Sequence, residues 1–159
     1  MVIVIAKNRL DVMNYAKILY EILKIAINTN GVNYAGQGDI EEINRLTIKD
    51  YPIFWITTSQ PMVEKGNTVE YHLTLNYIDK EKYQNDDVND TNQPLIHSNG
   101  MVILGNTIRK VVEELQPLNE VYPISYNLWQ DAEMFDDKCD GVWCDIILEF
   151  PKVTNCVID

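Results

Sequence analysis

The sequence predicts an α+β fold in the order helix, strand, strand, helix, strand, strand. A mixed or antiparallel sheet packs against two helices, in one domain over residues 1–159. Three observations carry this. Val69, Tyr71, Leu73, Leu75 and Tyr77 alternate with Glu70, His72, Thr74 and Asn76, the period of a strand with one covered and one open face. Two stretches, 10–28 and 98–116, place apolar residues three or four positions apart, the spacing of a helix. A polar break over 80–94 separates the halves.

The first helix is expected over 10–28. Its polar positions, Asp11, Asn14, Lys17, Glu21, Lys24 and Asn28, form one narrow stripe, and nearly everything else is apolar. So wide an apolar arc is covered on more than one side. A chain of 159 residues has little room to bury a helix all round, so a subunit interface is favoured, with Tyr15, Leu19 and Ile22 on it. Gly31 ends the helix.

Residues 36–50 read as a connector with a short helix at 39–46, where Asp39 and Glu42 have capping-box spacing. A strand follows over 51–58. Ile53, Phe54, Trp55 and Ile56 are apolar on both faces, which fits a central strand or one lying against a partner. The stretch 59–68, punctuated by Pro61 and Gly66-Asn67, is too long for a tight turn and reads as an extended hairpin arm. The alternating strand over 69–79 comes next.

The break at 80–94 carries Asp86, Asp87, Asn89, Asp90, Thr91 and Asn92. It lacks the glycine and distal Glu of a calcium loop, so a solvated loop is expected. The second helix, 98–116, has Ser98 as a cap and buries Leu104, Ile108, Val111, Val112 and Leu115; Pro117 stops it. Strands over 121–129 and 141–150 then form a hairpin around an acidic segment. Val142, Cys144, Ile146, Leu148 and Phe150 share one face of the last strand, and Trp143, Asp145, Ile147 and Glu149 the other. Pro151 ends it, and the tail over 152–159 is free or docks on a neighbour.

Composition bounds function. Hydrophobic residues at 46% and charged residues at 23% fit a folded domain. Thirteen Lys and Arg against 24 Asp and Glu give a net charge of −11, a field that repels nucleic-acid backbones and anionic membranes. The apolar start at 1–6 has no basic segment before it, and Glu21 and Lys24 interrupt the apolar run at 18–27. Neither a secretory leader nor a membrane span is expected, and a cytoplasmic site of synthesis is. Cys139, Cys144 and Cys156 are read as reduced thiols, with Cys144 a small core residue.

Catalytic motifs are missing. There is no GxGxxG, no GxxxxGK[ST] and no HExxH. His72 and His97 stand far apart, one on the polar face of a strand and one before a helix, and a surface or capping role outweighs a catalytic one. Asp136, Asp137 and Asp140 offer a magnesium site on paper, but no second group of acids and no basic substrate-binding cluster accompany them, so a solvated turn is the better reading. No cofactor and no metal are expected. Trp55, Trp129, Trp143 and nine tyrosines exceed what a surface needs. Most belong to a core, and Trp143 on an open strand face suits a subunit interface.

Three stretches resemble a known family. They are YPIFWITTSQ (51–60) with EYHLTLNYIDK (70–80), IHSNGMVILGNTIRKVVEEL (96–115), and YPISYNLWQDAEMFDDKCDGVWCDIILEFP (122–151). Their order and style resemble the tail-terminator and tail-completion (neck ring) proteins of tailed bacteriophages, including crAss-like phages. The resemblance implies a structural virion protein, not an enzyme. It implies a ring of six or twelve copies, neighbouring portal, connector or tail-tube proteins, DNA passing through the lumen without specific binding, and no membrane. The interface residues expected are Tyr15, Leu19, Ile22, Pro61, Met62, Val63, Trp143 and Val157. The acids expected at the lumen are Asp86, Asp87, Asp90, Asp136, Asp137 and Asp140. Two other classes stay open: a small acidic monomer that acts on another protein, and an enzyme revealed by a deep pocket where His97 meets acidic groups.

Overall fold

The computed structural model describes residues 2–4, 15–47, 49–58, 62–85, 90–114, 124–129 and 138–151. In chain order the elements are β1 (Val2–Val4), α1 (Tyr15–Ile27), β2 (Tyr34–Gln37), a 3₁₀ turn (Ile40–Arg45), β3 (Ile53–Thr58), β4 (Val63–Lys65), β5 (Thr68–Lys80), β6 (Tyr83–Asn85), β7 (Asp90–Thr91), α2 (Gln93–Glu114), β8 (Asn127–Trp129) and β9 (Cys139–Pro151). The fold is α+β, as the pattern predicts.

One mixed sheet of seven strands forms the centre, in the order β1-β9-β5-β3-β2. Strand β5 lies antiparallel to β9 along its whole length, from Thr68 opposite Pro151 to Lys80 opposite Cys139. Its other edge pairs with β3 and then with β4. Strands β8 and β1 share the outer edge of β9. The pairs β1–β9 and β2–β3 are parallel, and all the others are antiparallel.

In the expected arm at 59–68, residues 63–68 are part of this sheet, and 59–61 lie outside the described residues. Val63 stands opposite Glu70 and Lys65 opposite Thr68, so Gly66 and Asn67 make a two-residue turn, with Gly66 at φ 57. The returning strand is held on its far side by β9. Two short strands of this sheet went unread in the sequence. β2 lies inside the expected connector, and β1 lies in the apolar start.

Both helices cover the same face of the sheet. Phe54 and Ile56 of β3, Leu73, Leu75 and Tyr77 of β5, and Val142, Cys144, Ile146, Leu148 and Phe150 of β9 form the main core with them. Helix α1 contributes Ile18, Leu19, Ile22, Ile25 and Ala26, and each fully buried aliphatic side chain is worth about 1.5–3 kcal/mol. This corrects part of the premise about α1: the chain's own sheet and α2 cover most of its described apolar arc, and Tyr20 and Ile27 stay exposed.

Helix α2 starts earlier than its capping signal implied. Pro94 lies in its first turn, where the missing N–H has no helical partner to lose. Thr91 Oγ1 accepts from the Gln93 N–H (3.3 Å), and the Asn92 carbonyl accepts from the Ile96 N–H (3.0 Å). Ser98 is therefore an interior helical residue. Within the polar break before α2, Tyr83–Asn85 and Asp90–Thr91 pair as the β6–β7 ribbon. Gly100 brings α2 onto the sheet, because a Cβ there would press on Tyr77 and Val142 at 2.9 Å.

Candidate functional site

The second sheet face differs from the first. The alternation in β5 predicted an open polar face, yet Glu70, Thr74 and Asn76 are buried there. Register explains the cover. Trp55 of β3, Asn76 of β5 and Trp143 of β9 lie in one row across three strands. The 3₁₀ turn closes one side with Ile43, which joins Ile53, Trp55, Ile78 and Cys139 in a second small core. Asp39 precedes the turn, but its side chain makes no capping hydrogen bond, contrary to the capping-box reading.

Asn76 is the hub of this face. Its Nδ2 donates to the Trp55 carbonyl at 3.1 Å and to the Thr74 carbonyl at 3.4 Å. Its Oδ1 accepts from Trp129 Nε1 at 3.1 Å. Thr74 Oγ1 donates to Asp145 Oδ1 at 2.6 Å, and Trp55 Nε1 donates to the Gly38 carbonyl at 3.1 Å. The rings of Trp129 and Trp143 lie 6.5 Å apart with their planes at 54°. Between this pair and the 3₁₀ turn is a concavity of about 550 Å³, with Thr57, Thr74 and Asn76 in the lining and Asp39, Ile40 and Glu41 on the turn side. This concavity is the candidate site.

Ionic groupings lie outside it, among them a Lys138–Glu81 pair at 3.3 Å. Lys65 Nζ contacts Glu70 Oε1 at 2.8 Å; this hydrogen bond holds the Glu70 carboxyl below its ordinary range and raises the Lys65 ammonium. His72 Nε2 comes within 3.3 Å of Glu70 Oε2 without hydrogen-bond alignment. His97 Nε2 lies 3.0 Å from Asp140 Oδ2, and Asp140 Oδ1 accepts from the Gly141 N–H at 2.7 Å. That pair ties α2 to β9.

A smaller hollow of about 380 Å³ lies where Asn30, Gly31 and Asn33 meet Asp79 and Val102. Burial raises the Asp79 carboxyl there. Neither His97 nor Asp140 lines either cavity. Among the described residues no group of three His, Cys, Asp or Glu side chains is placed to hold a metal ion.

The expected interface residues are scattered. Tyr15 is half-buried and stacked on Tyr71 at 4.8 Å. Leu19 and Ile22 are buried in the chain's own core, so their place at a subunit interface is corrected. Met62 is 62% exposed. Val63 is half-buried in β4, and Trp143 lines the concavity. Asp140 is buried against His97 and does not face a lumen, because β9 turns its carboxylate inward to α2. Asp90 is in β7. Pro61, Asp86, Asp87, Asp136, Asp137 and Val157 lie outside the described residues.

Sequence reasoning missed Asn76, Thr74, Thr57, Asp39 and Glu41. One signal was present: Asn is a poor strand residue, and its place inside an otherwise strong strand pattern marks a demand for its amide. No family model matches this chain, and no curated protein matches it either.

Proposed function

We propose that this protein is a structural subunit that assembles with copies of itself into a ring at the neck or tail of a bacteriophage particle. Head–tail joining or tail termination is the role, and DNA passes through the lumen. One observation carries the self-association. On the outer surface of the helical layer Tyr20 and Ile27 of α1 and Leu95, Met101 and Val102 of α2 are exposed, three of them by more than half. Large apolar side chains left open on adjacent helices fit a protein contact, and the occupant is a second copy of this chain.

The α+β architecture, the charge of −11 and the family resemblance support the same reading. An acidic lumen lets a polyanion slide without sticking. Portal, connector or tail-tube proteins would sit above and below, and the location would be the virion. Among the described residues no helix is long and apolar enough to cross a membrane.

The test is substitution on the outer helical surface. Val102→Glu is expected to reduce the assembled species to smaller ones while leaving the circular dichroism spectrum unchanged, since Val102 is 57% exposed. An unchanged particle size for both Val102→Glu and Tyr20→Lys would reject this surface as the ring contact.

A further inference from the structure

We propose that the concavity between the 3₁₀ turn and the Trp129–Trp143 pair binds a small organic cation carrying a guanidinium or ammonium group. Two features of the lining select charge. The tryptophan rings are half-buried, so part of each indole faces the hollow, and aromatic faces attract cations. Asp39 and Glu41 stand exposed at the opposite side, and among the described residues their carboxylates have no hydrogen-bond or ion-pair partner. Among the described residues the lining contains no Lys, Arg or His.

The polar floor is already committed. Asn76 spends its amide on Trp55, Thr74 and Trp129, and the Thr74 hydroxyl is held by Asp145. Trp129 Nε1 donates to Asn76 and is not offered to an anion. Over this floor the hollow is lined by the two carboxylates, the Thr57 side chain and indole surface of Trp143 and Trp129, an arrangement that rewards a flat or compact cation and repels an acid. The volume of about 550 Å³ is that of a small-molecule site, which usually spans roughly 300–1,000 Å³. The inference goes beyond the ring reading and does not rest on it, since each subunit carries its own site.

Calorimetric titration of the purified protein with agmatine tests it. Saturable binding is expected, with none for N-butylurea, which keeps an amide-like head without charge. Glu41→Gln and Asp39→Asn should each weaken binding about two- to five-fold. Both positions are exposed, so folding is not at stake. Trp143→Leu should weaken it by a similar factor, about two- to five-fold. No saturation at about 10 mM agmatine, equal binding of N-butylurea, or affinity indifferent to all three variants would overturn the proposal. So would binding of tetra-arginine peptide without binding of agmatine, which would assign the hollow to a protein partner.

Discussion

Asn76 replaces what an apolar residue would give a central strand with three hydrogen bonds, to Trp55, Thr74 and Trp129. Asn76→Ala removes these hydrogen bonds from a buried position, so it should cost about 1–3 kcal/mol in urea unfolding and shift the tryptophan emission. Gly141 is fixed by proximity: a Cβ there would collide with the Tyr77 carbonyl oxygen. Gly141→Ala should lower the unfolding free energy by about 1–3 kcal/mol, read as a lower urea midpoint with an unchanged slope.

Titration at the residue scale has a definite sign. The Lys65 hydrogen bond lowers the folded carboxyl of Glu70 below its unfolded value. Its contribution is therefore complete above the ordinary carboxylate range and is lost as pH falls through the folded value. Glu70→Gln should flatten the acid limb of the stability curve. Burial pushes the Cys144 thiol up to about 12, so in a Cys139→Ser, Cys156→Ser background a disulfide reagent at neutral pH should label Cys144 only as fast as the chain unfolds. Rapid labelling of the folded protein would contradict that burial.

Helix α1 shows what a sequence pattern conveys and what it leaves out. Its periodicity located the helix, and its breadth measured how much surface had to be covered. The identity of the cover was not encoded locally, and the sheet and α2 supply it. Ile22→Ala should therefore destabilise the fold by about 2–5 kcal/mol and leave the proposed self-association unweakened. Loss of assembly with unchanged unfolding would return Ile22 to an interface.

Strands β3, β5 and β9 were legible because their pattern runs over many residues. β1 and β2 have three and four residues and exist only through pairing with β9 and β3, information that no short window holds. The start of α2 was hidden by Pro94, which reads as punctuation but is compatible with a first turn. The candidate site was hidden for a similar reason. The polar side of β5 looked solvated because its cover, Trp129 from β8 and the 3₁₀ turn, comes from distant sequence.

At the scale of the whole molecule, charge and exposed apolar surface pull in opposite directions. A charge of −11 per subunit makes copies repel, and the apolar side chains on α1 and α2 favour contact. Added salt screens the repulsion, with a Debye length near 8 Å at about 0.15 M, and leaves apolar burial in place. A ring held this way should become more populated, not less, between low and physiological salt, a trend that analytical ultracentrifugation reads directly.

The most direct measurement is the solution mass of the purified protein by light scattering after size exclusion, over a concentration series at physiological salt. The ring account predicts a discrete species of six or twelve times the 18.4 kDa subunit. A monodisperse species of 18.4 kDa at every concentration would contradict it.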